Sequence, residues 1–335
     1  MFSKTIVHLY PTVYKKTKTK PGLGDFLRGS IFLAQYAKNN DMNFKINIAN
    51  HPLYKYTLEE AEKVYKEAPA EFNGGWNSDE VLNYLEEFKN SDKEEVLVNC
   101  NMFYDIWHVT AEIREYINSV FKFKDIYYET ASTFVPEPYD IIHIRSFDHQ
   151  VDQRVFSFHL NKKLCEVLDI NRQNVVMSNN RILKEEIAKR FRLLTVNTKP
   201  AHTANVNDYR QLEDTVIDYI ILSRASKIHT FSFYNHGSGF SEQCAVLHKI
   251  PITKSFVVAP TEFVANSLPT LESWASSVEL YEYTADIYRT VFGLANKEYK
   301  FDSTKMPHMR LWEFVNDSNK RSDEFMQKRL GYGLI

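Results

Sequence analysis

The sequence predicts an α/β protein of two domains, each built on a mostly parallel sheet. Three observations lead there. With 335 residues the chain exceeds the roughly 250–300 residues at which a single hydrophobic core stops growing. Short β-rich runs alternate with longer amphipathic segments, the order that βαβ units impose. The same alternation restarts after an aromatic, charged stretch closed by Pro136 and Pro138.

Taken in order, residues 5–9 read as a strand, 26–38 as a helix, 44–48 as a strand, 58–66 as a charged helix and 95–99 as a strand. A helix follows over 109–120, and 122–138 is expected as a linker. The second half opens with a strand over 139–145, then a helix near 162–168 and a strand over 174–177. Next come a helix over 182–190, a strand over 193–196, a helix over 212–224, a strand over 227–231 and a helix over 240–248. A last amphipathic helix is expected over 277–293, with a polar, weakly periodic stretch after it. The expected division is therefore 1–121, linker 122–138, 139–276, and a C-terminal helical segment 277–335 packing back on the first domain.

Composition narrows the function classes. Hydrophobic residues make up 44% of the chain, with 23 Phe and 20 Tyr, enough apolar surface to offset chain entropy and argue against long disorder. The net charge of −2 comes from 41 basic against 43 acidic residues, so no global field draws the protein to nucleic acid or anionic lipid. Cys100, Cys165 and Cys244 are odd in number and far apart. That fits buried thiols in a reducing compartment better than a disulfide framework or a zinc site. The first residues show no long apolar run and no cleavage pattern, and no stretch approaches the ~20 apolar residues that cross a bilayer. A cytoplasmic location without a membrane span is expected.

Four segments could carry chemistry. The first, Pro21-Gly22-Leu23-Gly24-Asp25-Phe26-Leu27-Arg28-Gly29-Ser30, falls between the first strand and the first helix. Glycines there let a ligand approach the backbone, and the helix N-terminus offers unpaired N–H groups and partial positive charge. It is neither the dinucleotide fingerprint, which needs glycine at Leu27, nor a P-loop, and a purely structural turn is an equal alternative. Lys15, Lys16, Lys18 and Lys20 precede it as a solvated loop or an anion-attracting flap.

The second segment is Ile141-Ile142-His143-Ile144-Arg145-Ser146-Phe147-Asp148. Strand alternation puts His143 and Arg145 on one face, at the carboxyl edge where open α/β sheets bind ligands. An arginine there can clamp a phosphate and steady the charge on a leaving diphosphate; an ion pair with Asp148 is the plainer alternative. The third is Val176-Met177-Ser178-Asn179-Asn180-Arg181, a strand ending in polar residues before a helix, where N-capping by itself explains the Ser and Asn residues fully. The fourth runs from Asp214 through Asp218 to Ser232, then Asn235-His236-Gly237-Ser238-Gly239-Phe240-Ser241-Glu242-Gln243, a second strand-to-helix turn suited to a diphosphate. Asp218 could accept hydrogen bonds from a base or ribose.

In this order, Gly22-Leu23-Gly24-Asp25, His143-Ile144-Arg145, Ser178-Asn179-Asn180 and Ser238-Gly239-Phe240-Ser241 resemble the fucosyltransferase superfamily, which includes α-1,2- and α-1,6-fucosyltransferases, nodulation fucosyltransferases and protein O-fucosyltransferases. The resemblance spans roughly residues 20–251. It implies a GT-B-like architecture of two facing Rossmann-like domains, with the acceptor on the first and GDP-fucose on the second. It also implies inverting transfer without a metal. By that resemblance Arg145 binds the donor β-phosphate, His143 helps hold the nucleotide and Asp218 meets guanine. Ser238, Phe240 and Ser241 contact phosphate, and Gly22, Gly24, Arg28, Ser178 and Asn179 complete the substrate contacts.

Two departures stand out: Ser146 replaces the second arginine of the first motif, and Asn179 and Asn180 replace paired acidic residues of the second. They leave another GDP-sugar open as donor. No Asp-x-Asp occurs in the chain, in keeping with a metal-free mechanism. The expected partners are a nucleotide-sugar donor and a glycan acceptor, with no cofactor. For the general base the order is Asp25, Asp148, Asp152. The rival classes are a non-catalytic nucleotide- or carbohydrate-binding protein on the same fold, and a Rossmann-type oxidoreductase, which the missing fingerprint disfavours.

Overall fold

The computed structural model describes residues 4–10, 20–58, 69–74, 78–146, 156–200, 209–232 and 237–256. Two parallel sheets carry the chain. The first has the order β2-β1-β4-β3, formed by β1 (Thr5–Leu9), β2 (Asn43–Asn47), β3 (Phe72–Asn73) and β4 (Glu95–Asn99). The second has the order β7-β6-β5-β8-β9, formed by β5 (Asp140–Arg145), β6 (Asn174–Ser178), β7 (Leu194–Thr195), β8 (Lys227–Ser232) and β9 (Ile252–Phe256). Every strand pairing in both sheets is parallel. The predicted α/β class with mostly parallel sheets is what the chain adopts.

Parallel strands need crossovers, and helices supply them. They are α1 (Leu23–Asn39), α2 (Ser78–Asn90), α3 (Ala111–Val120), α4 (Asp125–Phe134), α5 (Phe156–Val167), α6 (Arg181–Phe191), α7 (Tyr209–Ser223) and α8 (Gly239–His248). Between β1 and α1, Pro21 and Gly22 end the connection, and Leu23, Gly24 and Asp25 lie inside the helix rather than in a turn before it. Asp25 in that first turn complements the helix dipole.

Two helices escaped the sequence reading. In α2, Val81, Leu85 and Phe88 are buried at helical spacing, and Asp79 and Glu80 sit in the first turn. Lys4, just before β1, meets the C-terminal end of α2: Nζ donates to Phe88 O in the last turn at 3.0 Å and, beyond the helix, to Lys93 O at 2.9 Å. In the expected linker, residues 125–134 form α4 and pack against α7. Arg224 Nη1 donates to Ser132 Oγ at 2.6 Å, and its guanidinium lies 5.4 Å from the Tyr128 ring centroid. Pro136 and Pro138 lie beyond this helix and so are no obstacle to it. The helix expected over 58–66 falls almost wholly, and that over 277–293 wholly, outside the described residues.

The chain divides into two compact units. The first comprises Met1–Pro136, Thr198–Arg224 and Gly239–Pro251; the second comprises Glu137–Asn197, Ala225–Ser238 and the chain from Ile252 onward. Thus α7 and α8, which sequence order places with the second sheet, group with the first unit. The core of the first unit joins Ile6, Leu33, Ala37, Val81, Leu85, Phe88, Val96 and Val98. In the second, Ile141, Ile142, Ile144, Val175, Val176 and Phe231 are buried, the continuous apolar runs of a sheet covered on both faces. Each such side chain contributes about 1.5–3 kcal/mol by leaving water.

Candidate functional site

In the second sheet, chain order reverses between β5 and β8: β6 and β7 extend to one side, β8 and β9 to the other. The crevice outside the carboxyl ends of such a strand pair is where open α/β sheets take ligands. His143 and Arg145 sit there, on the last residues of β5. His143 pairs in register with Met177 and Thr230, and Arg145 with Ser232. Hydroxyls crowd the same edge, where Ser146, Ser178, Thr230 and Ser232 are all buried; Ser238 is buried as well.

His143 is held neutral. Burial first, and the charge of Arg145 second, push its pKa down to about 3, so the imidazole offers one donor and one acceptor. Arg145 is half-buried, and its Nη1 donates to Ser146 O at 3.3 Å. Asn179, at the carboxyl end of β6, then fastens this corner: its Oδ1 accepts from Ser146 N at 2.8 Å and its Nδ2 donates to Ser146 O at 3.1 Å. A side-chain amide thereby substitutes for ladder bonds beyond the strand ends. Ser178 Oγ accepts from Asn180 N at 3.1 Å, and Asn180 Oδ1 caps α6 by accepting from Leu183 N at 3.0 Å. For Asn180 the capping alternative is the one realised. Gly237 has φ 73°, a left-handed conformation that side chains resist, and it leads directly into Ser238 and α8.

In the first unit the glycines have a packing role. A Cβ on Gly24 would fall 2.3 Å from Gly239 C and 2.5 Å from Phe240 N. A Cβ on Gly29 would fall 1.9 Å from Cys100 O. The first turns of α1 and α8 therefore touch backbone to backbone. Gly22 is the N-cap of α1 and makes no side-chain bond, and Ser241 is fully buried in the first turn of α8. Phe240 packs edge-on to Tyr219, with centroids 5.8 Å apart. Residues read as a ligand cradle from sequence thus also form a helix crossing.

Beside that crossing, Arg28 is nearly buried and ion-paired with Asp25 at 3.1 Å, while its Nε donates to Asn101 Oδ1 at 2.7 Å. Burial lowers the Arg28 pKa, and the charges of Asp25 and then Glu242 offset part of that. Asp218 is buried on α7 and accepts from Thr198 Oγ1 at 2.7 Å, so its carboxylate already has a partner within the chain. Asp148 and Asp152 lie outside the described residues, as do Lys15, Lys16 and Lys18. Among the described residues no group of three or more His, Cys, Asp and Glu is placed to hold a metal, and no helix is long and apolar enough to cross a membrane.

Sequence reasoning passed over residues 101–108. Asn101, Phe103 and Tyr104 follow β4 directly; Phe103 lies under the Arg28 guanidinium at 4.7 Å, and Tyr104 Oη donates to Gln243 Oε1 at 2.6 Å. Their signal was available: a polar and aromatic cluster immediately after a parallel strand.

The chain is similar in structure to solved fucosyltransferases. One is NodZ α-1,6-fucosyltransferase co-crystallised with GDP, at TM-score 0.47 and 12% identity, covering 76% of this chain and 95% of that one. Another is fucosyltransferase NodZ from Bradyrhizobium, at 0.47 and 12%, covering 76% and 96%. A third is POFUT1 in complex with GDP, at 0.41 and 11%, covering 76% and 99%. No family model and no curated protein matches the chain.

Proposed function

We propose that the protein is an inverting, metal-independent glycosyltransferase that moves a sugar, fucose from GDP-fucose, to a hydroxyl of a glycan acceptor. One observation carries the reading: His143 and Arg145 end the central strand at the point where strand order reverses, with Asn179 fastening the backbone beside them. A neutral imidazole next to a fixed guanidinium suits a diphosphate. The imidazole adds hydrogen bonds without competing charge, and the guanidinium carries the countercharge.

In this reading the acceptor oxygen attacks the anomeric carbon as the bond to the β-phosphate oxygen breaks. The sugar passes to the acceptor with inversion, and GDP leaves with the bonding pair. Arg145 stabilises the charge that builds on the departing diphosphate, the role a divalent cation fills elsewhere. The acceptor proton goes to a carboxylate, Asp25 first and Asp148 as the alternative. Arg28 keeps Asp25 oriented through its ion pair. His143, Ser178, Ser238, Ser241 and Phe240 are assigned to the donor, as are Asn179 through Ser146 and Asp218 through the guanine edge. Gly22, Gly24 and Arg28 are assigned to shaping the acceptor side. A cytoplasmic location belongs to the same proposal.

The test is GDP-fucose turnover by the full chain with EDTA present. Arg145→Ala should lower it by about two to three powers of ten while the melting temperature holds. Equal turnover in a folded variant removes Arg145 from the chemistry. Ser146, whose backbone is occupied by Asn179 and whose side chain is buried, favours one second reading, a binding protein without turnover. GDP binding with no release of fucose, to acceptor or to water, would select it.

A further inference from the structure

Along α1, on the side of the first unit that carries residues 101–110, the chain displays an aromatic strip. Phe103 is 64% exposed, Ile106 51% and Trp107 89%. These are large side chains whose burial is favourable, yet the backbone beneath them is fixed. Gln35 of α1 holds Asp105 from both sides, with Nε2 donating to Asp105 O at 2.7 Å and Oε1 accepting from Asp105 N at 3.2 Å. Asp105 Oδ1 accepts from Trp107 N at 2.9 Å, and Oδ2 lies 2.6 Å from His108 Nδ1. Those bonds hold the Asp105 carboxyl below its ordinary range. Trp107 is thus presented to solvent on a short, braced turn.

Polar groups alternate with the rings. Asn101 and Arg28 flank Phe103, whose ring takes the guanidinium on one face, and Asp105 and His108 flank Trp107. Two ion pairs lie along the strip, Arg28 with Asp25 and Lys38 with Glu112 at the far end, and His108 shares a hydrogen bond with Asp105. Ring faces interleaved with hydrogen-bonding side chains complement an uncharged polyhydroxylated chain, whose C–H faces stack on rings while its hydroxyls find polar partners.

We propose that Phe103, Ile106 and Trp107, with Asp105 and His108, form a binding subsite for an extended neutral oligosaccharide, the acceptor of the transfer reaction. The inference rests on the transferase reading for the word acceptor, and on this surface alone for the oligosaccharide. From Arg28 to Gln35 the helix rises about 10 Å, so the strip accommodates two or more sugar rings rather than one.

The test is calorimetric titration of the full chain with cellohexaose, maltohexaose, mannohexaose and N-acetylchitohexaose, alongside GDP. At least one hexasaccharide should bind, and Trp107→Ala and Phe103→Ala should each weaken it about tenfold or more, with GDP affinity as the control for folding. Equal affinity in wild type and both variants overturns the proposal, and so does the absence of binding at millimolar concentrations. It is likewise overturned if sedimentation shows a dimer that Trp107→Ala dissociates, because a second copy then covers the strip. Failure of GDP to bind the wild type would sink the transferase reading while leaving hexasaccharide binding at Trp107 intact.

Discussion

Asn179 and its neighbour Asn180 look interchangeable in sequence and do different work. Asn179 spends its whole amide on the Ser146 backbone, whereas Asn180 caps α6. Asn180→Ala should cost about 1 kcal/mol of stability, the usual loss of an N-cap, and leave GDP affinity alone. Asn179→Ala should cost about 1–2 kcal/mol and in addition weaken GDP, because the corner carrying Arg145 is released. Urea melts paired with nucleotide titration separate the two. Matching effects on GDP from both variants would deny Asn179 its positioning role. Gly24 makes a sharper case: its added methyl meets the backbone of Gly239 and Phe240, which no rotamer can relieve. Gly24→Ala should destabilise by at least about 1–3 kcal/mol, the cost of overpacking. An unchanged melting temperature would mean that α1 and α8 do not touch there.

At the scale of elements, legibility followed the range of the interaction. The strand ending in His143 and Arg145 was readable because alternation within one segment fixes which residues share a face. The capping function of Asn180 was readable for the same reason. The crossing of α1 and α8 was not, because Gly24 and Gly239 are far apart in sequence and only their contact explains why both are glycine. Composition around 122–138 suggested a linker because prolines and aromatics dominated it, while the prolines in fact follow the helix α4. The termini of α8 show what holds such elements in place. Its last turn is met from α3, with Arg114 Nε donating to Val246 O at 2.9 Å and Asn118 Nδ2 to Leu247 O at 3.2 Å. Carbonyls at a helix end otherwise lack partners.

At the scale of the whole molecule, five histidines among the described residues give stability a dependence on pH. His8, His51 and His143 are pushed down to about 3, and His229 and His248 to about 4, chiefly by burial. Unfolded, each titrates near 6.5. Below that value the unfolded chain binds more protons than the folded one, so the stabilisation from neutral burial is complete above pH 6.5 and is lost as pH falls toward 3. The denaturation midpoint should drop steadily between pH 6.5 and 4. His51→Phe, which keeps a ring beside Tyr10 and Phe121, should flatten part of that slope. A midpoint constant over this interval would contradict neutral burial of these rings.

Whether the edge of the second sheet holds a GDP-sugar without a metal is decided by calorimetry of the purified chain against GDP, UDP, ADP, TDP and NAD, with and without EDTA. GDP should bind selectively, undiminished by EDTA and weakened by Arg145→Ala. A preference for another nucleotide, a requirement for metal, or GDP binding indifferent to Arg145 would contradict it.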